Sequence, residues 1–148
     1  MTVHRILLAI GLSVFGTVAF ASDEAGVIAT IRQYVGDFNE NDVNAEVSRC
    51  TMPATIIDDF PPHMWRGCRE WVDAFTAGNE AYGDGEYKVT LGKAWNVTVS
   101  GDTAYVVYPT RIDYEHKGKP AVDHGVWTFV LRKLPGGWRI SAWAWAAH

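Results

Sequence analysis

Basic side chains are in the minority: Lys and Arg total 13 against 17 Asp and Glu. That balance argues against a nucleic-acid backbone as partner. Cysteine is limited to Cys50 and Cys68, too few for a thiolate metal cage. His63 lies near Asp58 and Asp59, and His124 adjoins Asp123, but no paired His-x-His accompanies them, so no metal site is expected. A Ser-His-Asp order, a cysteine-nucleophile motif, a phosphate-binding loop and a dinucleotide fingerprint are all missing, and no cofactor is expected. Long apolar runs are reduced to one, Ile6 to Phe20. Its 15 residues fall short of the roughly 20 that a spanning helix needs, so no membrane span is expected.

That run has the marks of a secretory signal. Arg5 supplies the positive start, and Ala19-Phe20-Ala21 offers a small-x-small cleavage pattern. Residues 1–21 are therefore expected to be a signal peptide and 22–148 the mature domain, secreted and, in a Gram-negative source, periplasmic. The mature chain of 127 residues keeps 12 basic against 17 acidic side chains, a net charge of −5, and suits a single domain. In an oxidising compartment Cys50 and Cys68 can form a disulfide. Both also sit on apolar helical faces, Cys50 after Val43 and Val47 and Cys68 before Trp71 and Phe75, so two buried thiols remain the other reading.

Periodicity divides the rest of the chain. Val27, Ile28, Ile31, Tyr34, Val35 and Phe38 recur at spacings of three and four, which predicts a helix from Ser22 to the Asn-rich Asn39–Asn44 segment. A second helix is expected from Asp42 to about Met52, where Pro53 stops it, then a short strand over Ala54–Asp58. Pro61-Pro62 forces a loop, and Gly67–Ala77 reads as a third helix. After Gly83-Asp84-Gly85 the pattern turns to strands near Tyr87–Val99, Thr103–Glu115, Pro120–Leu134 and Trp138–Ala147. Short Gly-containing separators between them predict hairpins and an antiparallel meander. Helices first and strands later give an α+β protein.

Several motifs in that frame, Ile31-Arg32-Gln33-Tyr34 with Phe38-Asn39 and Asp42, Ala54-Thr55-Ile56-Ile57-Asp58, and Gly137-Trp138-Arg139-Ile140, carry a resemblance. The chain resembles the nuclear-transport-factor-two-like superfamily, which includes ketosteroid isomerases and SnoaL-type polyketide cyclases. The resemblance implies an α-α-β-α-β-β-β-β order, with a cone-shaped, curved antiparallel sheet wrapped around the N-terminal helices. It also implies a small-molecule pocket, because this superfold hosts enzymes, binding proteins and assembly domains.

Ketosteroid isomerases place a tyrosine on the first helix and a general-base aspartate at the end of the first strand, and Tyr34 and Asp58 fall on those positions. An aspartate beside an apolar pocket can take a proton from carbon next to a carbonyl, while a phenol stabilises the developing oxyanion. Trp127 holds the place of that family's second acid. Asp123, four residues earlier, shares the strand face of Trp127 and Phe129 and is the third candidate for the chemistry. The resemblance turns Trp143 and Trp145 into the cone with Tyr108, Ile112 and Tyr114, which suits a flat or apolar ligand. Each residue also has a structural reading. Tyr34 fits as a core aromatic, Asp58 as a cap of the proline loop, and the tryptophans as core filling.

The expected activity is thus an isomerase, lyase or cyclase using Asp58 as base. A non-catalytic binding protein and an assembly module are the alternatives. On the outward faces, Tyr105, Val107, Val126 and Val130 are more apolar than a solvated sheet usually shows, which predicts a homodimer packed through the sheet.

Overall fold

The computed structural model describes residues 15–148. Helix α1 spans Phe15–Asn39 and α2 Val43–Ser48; strand β1 is Cys50–Ile57 and β2 Met64–Trp65; α3 is Cys68–Tyr82. Strands β3 (Asp84–Leu91), β4 (Asn96–Ser100), β5 (Thr103–His116), β6 (Lys119–Leu134) and β7 (Gly137–Ala147) complete the chain. Most of the expected signal segment, residues 1–14, lies outside the described residues. No helix among those described is long and apolar enough to cross a membrane.

The strands form one curved, unclosed sheet in the order β2-β1-β7-β6-β5-β3, with β4 beside the other half of the β5 edge. Its centre is the long β5–β6 hairpin, closed by Lys117-Gly118 with φ of 51° and 72°. Positive φ at both positions makes the tight turn whose twist matches that of the strands. The sheet is mixed. β1 lies parallel to β7 while the other pairings are antiparallel, because β1 comes from the helical half of the chain and reaches the meander by a long crossover.

Two expectations need correction. The second helix does not run to Met52, since α2 ends at Ser48 and β1 begins at Cys50. Pro53 lies within β1, and the β1–β7 register shifts between Cys50 and Thr55, as expected where proline has no N–H to donate. The expected Tyr87–Val99 strand is two strands, β3 and β4. On the facing edge of β5, Pro109 likewise has no N–H to give; its carbonyl accepts from Gly92 N at 2.8 Å, and pairing resumes with Trp95 N on Val107 O at 2.9 Å.

The concave face and the buried side of α1 make the core, with Val27, Ile31 and Tyr34 packed against Val106, Phe129, Leu131 and Ile140. A bulge in β7 sets what this face carries further along. The β6–β7 register shifts between Val130 and Leu131, and Ser141 Oγ donates to Val130 O at 3.1 Å. The extra residue changes the parity of the inward positions from Trp138 and Ile140 to Trp143 and Trp145.

Gly125 performs a related service on β6. A Cβ there would lie 2.4 Å from Ala146 O and 2.6 Å from the Trp145 ring, so the bare backbone is what lets this indole lie over the strand. Gly125→Ala is expected to destabilise the fold by about 1–3 kcal/mol, the usual cost of overpacking, and to move Trp145. Urea unfolding measures the first effect and the tryptophan emission spectrum the second.

Candidate active site

β1 delivers the central group. Ala54, Ile56 and Asp58 succeed one another on its buried side, so the alternation that buries Ile56 also carries the Asp58 carboxyl inward just past the strand's end. The backbone turns sharply beyond it: Asp58 N donates to His63 O at 3.2 Å and His63 N to Phe60 O at 2.9 Å. Across from this turn, α3 presents Trp71, whose Nε1 donates to Asp58 Oδ2 at 2.8 Å, while Asp59 N donates to Oδ1 at 2.8 Å. Each carboxyl oxygen therefore has one donor and keeps acceptor capacity.

Cys50 and Cys68 are bonded, with Cα atoms 6.4 Å apart. The bridge ties the start of β1 to the first residue of α3, one turn before Trp71.

Asp58 opens onto a cavity of about 230 Å³ between the concave sheet and α3. Its wall is an aromatic box. The rings of Trp71 and Phe75 stack 4.9 Å apart, Trp143 meets Trp71 edge-on at 4.9 Å and Trp127 edge-on at 5.3 Å, and Tyr87 stacks flat on Tyr114 at 5.2 Å. Asp59, Asp84 and Asp123 also line the space, and among the described residues no Lys, Arg or His does. An anionic ligand would meet only like charge there.

Burial pushes the Asp58 carboxyl up to about 6; the Asp59 N–H and the Trp71 indole oppose this, and the neighbouring Asp59 charge adds to it. Burial likewise raises Tyr87 and Tyr114, with the nearby carboxylates reinforcing the shift, so both phenols remain neutral O–H donors at physiological pH.

The cavity gathers most of the sequence-derived candidates. Asp58, Asp123, Ile112, Tyr114, Trp127, Trp143 and Trp145 line it, although Asp123 stands at an exposed position on β6. Tyr34 and Tyr108 do not line it. Tyr34 is fully buried behind the wall, its hydroxyl accepting from Trp143 Nε1 at 3.0 Å. It thus supports a wall tryptophan from behind. Tyr108 packs edge-on to Phe129 at 6.4 Å, deeper in the core, because its place on β5 is past the end of the cavity.

Sequence reading missed Trp71 as the partner of Asp58, along with Phe60, Phe75 and Tyr87. The one available signal was that Trp71 and Phe75 occupy the apolar face of a helix that had to cover something.

With this geometry in view, the comparisons with known proteins become informative. A sequence profile of the SnoaL-like domain matches residues 27–144. The chain belongs to the SnoaL-like family. No curated protein matches it.

Among solved structures, this SnoaL-like chain is similar to a nuclear transport factor 2 (NTF2-like) superfamily protein from Salmonella enterica. The TM-score is 0.74 and the identity 16%, covering 86% of this chain and 92% of that one. It is also similar to a ketosteroid isomerase-like protein from Erwinia carotovora atroseptica (TM-score 0.70, 21% identity, 84% and 95% covered). A cystatin-like-fold protein from Novosphingobium aromaticivorans gives a TM-score of 0.73 at 18% identity, with 93% and 92% covered. At such identities the likeness concerns the fold. The SnoaL-like domain is a superfold that hosts enzymes and binding proteins alike.

Proposed function

We propose that this SnoaL-like protein is an enzyme that removes a proton from carbon next to the carbonyl of a neutral, flat, apolar ligand, with Asp58 as the general base. The observation that carries the reading is a buried carboxyl, held by Trp71 and the Asp59 N–H, on the wall of an aromatic cavity that no basic side chain among the described residues lines. A carboxylate with its pKa near 6 is largely ionised at neutral pH, yet a stronger base than an ordinary aspartate.

Wall aromatics would hold the ligand's ring system, and the Tyr114 phenol would donate a hydrogen bond to the oxygen on which negative charge develops. Returning the proton to a different carbon gives isomerisation; expelling a β-substituent gives a lyase reaction.

The test follows deuterium incorporation into β-tetralone, a neutral bicyclic ketone, by NMR in D₂O. Exchange should rise with pH through about 6 and fall to the uncatalysed rate in Asp58→Asn. Wild-type protein that binds the ketone without accelerating exchange would instead support a non-catalytic binding protein.

The proposal includes export, with the mature chain starting at Ser22 after the Ala19-x-Ala21 pattern; N-terminal sequencing that finds Met1 intact on exported material overturns that part. It also includes a homodimer through the outer sheet face. Tyr105 is 44% exposed there, and Val107, Val126 and Val130 are half-buried around it. Sedimentation that shows only monomer at micromolar concentration would remove the dimer.

A further inference from the structure

Alternation along β6 turns Asp123, Gly125, Trp127 and Phe129 to the concave face, and one of these four has no side chain. Its slot is nevertheless filled. A Cβ at Gly125 would lie 2.6 Å from Trp145 Cη2 and 2.7 Å from its Cζ2, so the outer edge of this indole occupies the place of the missing side chain. Trp145 belongs to β7, opposite Trp127, with the two rings edge-on at 6.4 Å. The indole thus crosses from one strand to the next and floors the cavity between Trp127 and Asp123, which both line it.

Trp145 also stands beside the base. Ile56 and Ile57 pair in parallel with Trp143 and Ala144, so Asp58 and Trp145 come next on the two neighbouring strands, and both line the cavity. A ring held at Asp58 therefore meets this indole on the sheet side. Space is short: about 230 Å³ is less than the roughly 300–1,000 Å³ of pockets that take drug-sized ligands. The neighbouring wall cannot yield, because Trp127 and Trp143 are buried and edge-on to each other at 5.3 Å, and Trp143 is held by Tyr34. Behind the Trp145 edge there is only the bare backbone of Gly125.

We propose that Trp145 is the specificity-determining residue of this site and, by lying over Gly125, limits its ligands to neutral ketones of two fused rings. The inference rests on reading the cavity as a ketone site, but not on catalysis there. A close-packed wall accepts no added ring without forcing its side chains out of place. A third ring fused on the sheet side must displace the indole or pull the carbonyl away from Asp58. A small residue at position 145 would open an apolar trench down to the Gly125 backbone, and a ring-shaped ligand refills such a space.

Equilibrium dialysis of the full folded protein with β-tetralone, and with dihydrophenanthrenone as a neutral ketone of three fused rings, tests the assignment. Wild type should bind the two-ring ketone at least about tenfold more tightly, the discrimination an apolar wall can supply. Trp145→Ala should reverse the order, with the three-ring ketone gaining at least about tenfold over its wild-type affinity. Trp145→Phe keeps a ring in place but one too short to cover the whole slot, so it should move the preference the same way by less. That variant decides the matter if Trp145→Ala fails to fold by circular dichroism. Tyr82→Ala, from an exposed position of α3 that also lines the cavity, should leave the preference within about twofold, because it lies at the mouth and not at the floor.

Equal affinity of wild type for the two ketones, or an unchanged preference in the folded Trp145 variants, would overturn the proposal. The same reversal in Tyr82→Ala would also overturn it, by moving the size limit to the mouth. Failure of ketone exchange with the expected order of affinities would support the size limit and count only against the general-base reading. Binding of neither ketone by wild type or variants at millimolar concentration would overturn both.

Discussion

Asp58→Asn is expected to abolish proton abstraction and, in the same protein, to remove a pH-dependent weakness of the fold. The kinetic loss should be on the order of 10²–10⁴-fold, the usual contribution of a positioned general base. Ligand binding should survive, since Asn keeps the size of the side chain and the aromatic walls are untouched.

The stability effect follows from the raised pKa. Asp58 shifts from 3.8 to about 6 on folding, so between those values the folded state binds a proton that the unfolded state has released. Stability must then fall as pH rises through the window and stay lowered above it. The shift is worth up to about 3 kcal/mol at 1.4 kcal/mol per pH unit.

Asn cannot ionise, but its amide nitrogen would face one of the two donors that now point at the carboxylate, Trp71 Nε1 or Asp59 N. The absolute change at one pH therefore mixes two effects of opposite sign. Their pH dependence separates them: the stability of Asp58→Asn relative to wild type should rise by up to about 3 kcal/mol from pH 4 to pH 7.5. Urea unfolding across that range measures it. A difference that stays flat with pH would mean that the carboxyl is not desolvated.

The double substitution Cys50→Ser/Cys68→Ser should cost about 3 kcal/mol, because the bridge closes a loop of 18 residues and so restricts the unfolded chain. For a domain of this size that corresponds to a fall in melting temperature on the order of 10 °C. The loop contains Asp58, and the bridge anchors the helix end that aims Trp71 at it, so the loss should reach the site. Ligand affinity should weaken more than global unfolding at the assay temperature explains. Differential scanning calorimetry and ligand titration of the double variant, against wild type with and without reductant, check both parts. An unchanged melting temperature would show that the bridge adds no stability.

What the sequence could determine was everything that depends on near neighbours. Three- and four-residue spacing marked α1 and α3, Gly-containing turns marked the hairpins, and alternation along β6 put Asp123 on the strand face of Trp127 and Phe129, because a side chain's direction follows from its own backbone. The ends of α2 and the split between β3 and β4 were less legible. They depend on Pro53 and Pro109 meeting particular partners in a ladder, and a partner is a long-range fact.

Tertiary structure alone decided depth and company. Tyr34 keeps the helical face its spacing implies, but only the packing of Trp143 over it separates it from the cavity. Trp71 becomes the donor to Asp58 because the bridge and the Pro61-Pro62 loop bring α3 back across the end of β1. Glu46, an ordinary acid in a polar stretch of sequence, is buried because α2 is short and closes against α1 and α3. Periodicity tells which way a side chain points from its own element. How far inside it ends, and what it meets there, is set by elements tens of residues away, and desolvation, which raises the pKa of Asp58 and Glu46 alike, exists only once those elements have closed over them.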